Sequence, residues 1–181
     1  MKNNYLVVLA LLLSASTYSQ TGRVTLIETF TSSTCPPCVG GNINLEGILD
    51  DSQNDDQAVS LKYQMNWPGN GDPYYTLEGG ERRNVYGISG VPTTEVDGTT
   101  EVSTGNLSQN TLNSAYAVAP RVTIDAHYEV DEAAKIITVQ ASVTVLEPTP
   151  PGWRLYMAVF EYGTTGNTGT NGETSFEHVM K

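Results

Sequence analysis

Two residues of this chain can do covalent chemistry at close range: Cys35 and Cys38, its only cysteines, separated by Pro36 and Pro37. A thiol attacks or ligates as its thiolate. A helix start stabilises that anion, because the first turn leaves backbone N–H groups unpaired and presents the positive end of the helix dipole. The two prolines suit such a turn, which wants their fixed φ and has no use for their missing N–H. Cys38 then falls one turn below Cys35, close enough for a disulfide to form and open with little backbone movement. The chemistry that follows is thiol–disulfide exchange, with Cys35 attacking and Cys38 resolving. An inert structural bridge is the weaker reading, because so short a loop constrains the unfolded chain very little.

Such a pair needs a strand to deliver it and a helix to receive it. Residues Val24 to Phe30 are β-branched and apolar enough for a mostly buried strand, ended by Thr31-Ser32-Ser33-Thr34. Beyond the cysteines, Leu45, Ile48 and Leu49 recur at helical spacing until Asp50-Asp51-Ser52. Gly40 and Gly41 weaken this helix by about 1 kcal/mol each relative to Ala, so tertiary packing must hold its start. Ala58 to Met65 reads as a second strand, completing a right-handed parallel unit. A loop from Asn66 to Pro73 leads to a short helix within Tyr74 to Tyr86, interrupted by Gly79-Gly80. Asp97-Gly98 marks a hairpin, and Leu107 to Val118 a last helix.

After Ala119-Pro120 the pattern changes to strands over Arg121–Val130, Lys135–Leu146 and Trp153–Tyr162, with a fourth candidate at Phe176–Met180. A closed sandwich uses about seven strands, so this all-β module over 120–181 is expected to be incomplete. Either the chain is a fragment, or the open edge pairs with something else. At the other end, Lys2, an apolar run from Tyr5 to Leu13 and small polar residues through Gln20 read as a signal peptide over 1–19. The run is too short to cross a bilayer. A net charge of −11 disfavours nucleic acid as a partner. With no cysteine outside the pair there is neither a disulfide framework nor a zinc site.

The run Arg83-Asn84-Val85-Tyr86-Gly87-Ile88-Ser89-Gly90-Val91-Pro92-Thr93 resembles the segment of thioredoxins that leads into their third strand. Together with the Cys-Pro-Pro-Cys motif it makes residues 22–119 similar to a thioredoxin-like domain. The expected fold class is thus α/β, a thioredoxin fold followed by a partial, sandwich-like all-β module. The resemblance implies that Pro92 is a cis-proline lying against the dithiol and that Val91 presents its backbone to a bound substrate chain. Thr34 and Pro36, flanking Cys35, are the further expected substrate contacts. Two positions depart from the family: Thr34 replaces the tryptophan before the first cysteine, and Thr29 replaces the buried aspartate six residues before it. Glu28 is adjacent but points to the other face of the strand and reads as solvated or locally paired.

The string Ile27-Glu28-Thr29-Phe30-Thr31, the leader and the trailing β-module are together similar to a family of Gram-negative envelope proteins known as outer-membrane proteins. That similarity implies an exported chain, whether periplasmic, outer-membrane-associated or secreted. The similarity implies location and not a reaction; the dithiol alone implies protein thiols or disulfides as partners, and no cofactor and no metal are expected. The alternative is a surface binding module on a thioredoxin scaffold. A copper carrier using Cys35, Cys38 and a histidine is a third reading, because soft thiolates suit Cu(I). Neither His127 nor His178 is tied to the cysteines by spacing. Trp67, Tyr74 and Tyr75 could line a peptide groove or cap a core, and Arg82-Arg83 reads as a solvated helix end.

Overall fold

The computed structural model describes residues 23–181, so the leader expected over 1–19 lies outside the described residues. Strand β1 (Thr25–Thr31) pairs in parallel with β2 (Ala58–Gln64), and helix α1 (Pro36–Leu49) makes the crossover. Helix α2 (Leu77–Tyr86) leads to the antiparallel strands β3 (Thr93–Val96) and β4 (Thr100–Ser103), and α3 (Gln109–Tyr116) follows. α2 starts later than the aromatic run suggests. The Thr76 hydroxyl accepts from the Gly79 N–H and caps it, while Tyr74 and Tyr75 stay in the preceding loop.

Alternation along β1 and β2 builds two unlike layers. Phe30, Leu61, Tyr63, Met65 and Ile88 form an apolar core on the side of α2. Ile27, Leu45, Val96, Leu107 and Leu112 form the other, under α1 and α3. That second face also buries Thr29, Thr31, Ser60, Lys62 and Gln64. Lys62, only 2% exposed, pairs with Glu46 of α1.

The later strands do not all join one module. β5 (Val122–Asp131) and β6 (Ile136–Val145) form an isolated two-stranded antiparallel sheet. β7 (Phe160–Thr165) and β8 (Ser175–Met180) instead extend the first sheet, giving the order β4-β3-β1-β2-β8-β7, with β8 parallel to β2. The expected strand from Trp153 begins only at Phe160: residues 153–158 have strand composition but join no sheet, and the Val159 carbonyl accepts from the Lys181 N–H at 2.9 Å. On the hairpin, Ile124, Tyr128 and Val130 face Val143, Val139 and Ile137 across the strands, and all six are exposed. No helix among the described residues is long and apolar enough to cross a membrane.

Glu95 of β3 lies between Glu28 and Glu101 on its two neighbouring strands. Burial first, then the charges of Glu101 and Glu28, raise its carboxyl above the usual carboxylate pKa. A group of this kind holds its proton more tightly folded than unfolded. Its contribution is therefore fully present below the unfolded pKa near 4.3 and is lost as pH rises through the folded value. Glu95→Gln should raise the urea midpoint at pH 7, and the gain should vanish below about pH 4. An equal gain at both pH values would refute this account.

Candidate active site

β1 ends where the chain must turn into α1, and Cys35 occupies the N-cap of that helix in an extended conformation. Pro36 and Pro37 take the first two helical positions, as their fixed φ favours. Cys35 and Cys38 form a disulfide with their Cα atoms 5.3 Å apart. Pro36 and Pro37 are exposed, and Thr34 is half-buried. The Val91–Pro92 peptide is cis, and Cys35 Sγ lies 3.6 Å from the Val91 carbonyl oxygen. In the disulfide that sulfur carries no proton, so this is a packing contact. The cis peptide therefore sets the Val91 carbonyl beside the Cys35 sulfur.

Gly41, weak as a helix former, has a steric reason to be there. A Cβ on it would sit 2.9 Å from Pro92 Cγ and 3.1 Å from Thr104 Cβ, so its absence lets α1 press against the Pro92 loop. Thr29 occupies the place of the family's aspartate without a charge. Its hydroxyl bonds that of Thr94 at 2.9 Å, which bonds that of Thr104 at 2.9 Å, forming a buried neutral chain.

Glu28, one position away, is on the opposite face and only 1% exposed. Arg82 donates to both its oxygens at 2.7 and 2.8 Å, and the Tyr63 and Tyr86 hydroxyls donate at 2.8 and 2.5 Å. Burial is the largest cause raising both phenol pKa values, and the hydrogen bond to Glu28 is the largest raising that of Arg82. All three therefore remain donors at neutral pH. This corrects the expectation for Arg82-Arg83. Arg82, itself partly exposed, pairs with the buried Glu28, and Arg83 stacks 4.8 Å from the Trp67 ring and donates to the Ile88 carbonyl.

Trp67 and Tyr75 line a shallow hollow of about 310 Å³ with Leu77 and Arg83. It adjoins the dithiol turn, because the Thr34 hydroxyl donates to the Pro68 carbonyl at 2.6 Å. Tyr74 does not join it. Its hydroxyl donates to the Thr165 carbonyl, and Lys181 lies over its ring. A larger cleft of about 1300 Å³, lined by Arg23, Val96, Trp153 and others, lies at the other end of β1 from the cysteines. Among the described residues, one trio of possible metal ligands converges: Glu46, Glu177 and His178. It contains no cysteine, and the Lys62 ammonium already pairs with Glu46, placing a fixed positive charge where a cation would bind.

Three groups at the site carry no local sequence signal. The buried Asp72 carboxylate accepts from the Ser33 N–H at 3.0 Å, the Tyr74 N–H at 2.8 Å and Asn167 Nδ2 at 3.2 Å. Thr170 and Asn171, in the loop between β7 and β8, reach the backbone just before and at Cys35. That loop helps explain an unexpected burial: Cys35 is 1% exposed and Cys38 0%.

A mixed sheet with a parallel β1–α1–β2 unit, a cis-proline opposite the helix start and a disulfide at that helix start constitute a thioredoxin-like fold. No family model and no curated protein matches the chain. Two solved structures are similar to it. Protein AGR_C_4864 from Agrobacterium tumefaciens aligns with a TM-score of 0.59 at 18% identity, over 88% of this chain and 71% of that one. HBP35 of Porphyromonas gingivalis aligns with a TM-score of 0.57 at 15% identity, over 88% of this chain and 55% of that one. At such identities the likeness concerns the fold alone.

Proposed function

We propose that this protein is a thiol–disulfide oxidoreductase of the cell envelope, exchanging disulfides with exported proteins through Cys35 and Cys38. The observation that carries the reading is the disulfide at the start of α1 with the Val91–Pro92 peptide against its sulfur. In the reducing direction the Cys35 thiolate attacks one sulfur of a substrate disulfide, forming a mixed disulfide and releasing one substrate thiolate. Cys38, once deprotonated, attacks the Cys35 sulfur and releases the second. Two electrons pass to the substrate and the Cys35–Cys38 bond re-forms; the oxidising direction is the reverse. Val91, Thr34 and Pro36 are the proposed substrate contacts. The leader-like residues 1–19 support export, to the periplasm, the outer membrane or the medium.

The test is covalent trapping. Cys38→Ser leaves Cys35 able to attack but removes the thiol that resolves the intermediate, so reducible adducts should accumulate in envelope extracts. Cys35→Ser/Cys38→Ser protein should form none. A second reading, a non-covalent binding module, is favoured by the exposed apolar face of the β5–β6 hairpin. It gains if both proteins recover the same partners without a reducible bond.

A further inference from the structure

Four successive carbonyls, those of Ser32, Ser33, Thr34 and Cys35, meet donors from only two residues of the β7–β8 loop. Asn171 Nδ2 reaches the Ser32 oxygen at 3.2 Å and the Cys35 oxygen at 3.3 Å. The Asn171 backbone N–H donates to the Ser33 oxygen at 3.0 Å, and the Thr170 hydroxyl to the Thr34 oxygen at 3.4 Å. Asn171 is itself fixed, because its Oδ1 accepts from the Glu173 N–H and its Nδ2 contacts the Glu173 carboxylate. Glu173 in turn accepts from Asn42 of α1. Gly169 lies so close that a Cβ on it would come within 2.2 Å of the Ser33 oxygen.

This clamp matters because the helix start is poor in donors. Pro36 and Pro37 remove two N–H groups from the first turn, and the Cys38 N–H is turned to the Cys35 carbonyl at 3.1 Å. A thiolate at Cys35 thus has less than the usual first-turn support. The carbonyl dipoles of the Ser32–Cys35 turn adjoin it in the chain, and their negative ends oppose it unless other donors engage them.

We propose that Asn171 is a positioning residue for exchange: it holds the Ser32–Cys35 turn and offsets the carbonyl dipoles that would otherwise disfavour the Cys35 thiolate. The proposal rests on the exchange reading for its biological meaning but is tested without a substrate. Two quantities are measured on the whole chain: the pH profile of Cys35 alkylation by iodoacetamide, and the equilibrium of the Cys35–Cys38 disulfide with glutathione.

In Asn171→Ala the midpoint of the profile should move to higher pH. The equilibrium should shift about fivefold toward the disulfide, which at 29.6 mV per tenfold is about 20 mV more reducing. The alkylation rate on the high-pH plateau should also rise, since the loop no longer shields the sulfur. Gly169→Ala keeps the Asn171 side chain but forces the loop off Ser33, and should shift both quantities the same way. It decides the matter if Asn171→Ala fails to fold. An unchanged midpoint and equilibrium in a folded variant overturn the proposal. Failure to trap partners with Cys38→Ser, alongside a shifted equilibrium here, would instead refute the exchange reading alone.

Discussion

Arg82→Met is expected to destabilise the protein by about 3 kcal/mol, read as a lowered midpoint in urea unfolding. The substitution keeps much of the aliphatic stem and removes the guanidinium that donates to both oxygens of Glu28. Glu28 is then left within the sheet without its cationic partner, and removing one member of such a pair leaves the other desolvated and uncompensated. The hydroxyls of Tyr63 and Tyr86 still donate to it, which places the cost at the lower end of the usual range. The double variant Glu28→Gln/Arg82→Met should recover part of the loss, because no charge remains to be stranded. A single variant within 1 kcal/mol of the parent would show that Glu28 takes up water or a proton without penalty.

Asp72→Ala has the second largest expected effect, about 3 kcal/mol, and it falls on the dithiol turn. Hydrogen bonds to a charged acceptor contribute about 1.5–3 kcal/mol each, and Asp72 accepts from Ser33, Tyr74 and Asn167 together. Losing it leaves the Ser33 N–H and the Asn167 amide without their acceptor in a buried setting. Asp72 thus joins three segments: the turn from β1 to α1, the later part of the loop before α2, and the β7–β8 loop. Its removal should also speed alkylation of reduced Cys35, which that last loop shields. Normal stability with normal alkylation would contradict this account.

The parts of the fold legible in the sequence are those whose evidence is local. β1, α1 and β2 come within a residue or two of expectation, because their alternation, helical spacing and stop signals lie inside each segment. The alternation also put Glu28 opposite Thr29 correctly. It could not show that α2 covers that face with Arg82, so an ion pair at a separation of 54 residues read as a solvated helix end and a solvated or locally paired carboxylate. β7 and β8 look like strands, but local alternation does not specify a partner. The bond they make is to the β2 edge of the thioredoxin-like sheet. Trp153 to Ala158 shows the converse, strand composition in a segment that joins no sheet. At the site, the cysteines announce themselves by spacing, and Pro92 through the resemblance of the run around it to a thioredoxin segment. Asn171 sits in a Gly-, Thr- and Asn-rich stretch that reads as a turn, and its contact with Cys35 spans 136 residues.

The four carbonyls gripped by the β7–β8 loop impose a thermodynamic reciprocity. Whatever preference the clamp has for the reduced turn over the oxidised one, the redox state must return to the clamp in equal measure, since both describe one closed cycle. If seating Asn171 favours the dithiol fivefold, reduction tightens the seating of that loop fivefold and oxidation loosens it by the same factor. Electrons entering at Cys35 and Cys38 are thereby coupled to the far side of the sheet, where the β7–β8 hairpin joins β2 through β8.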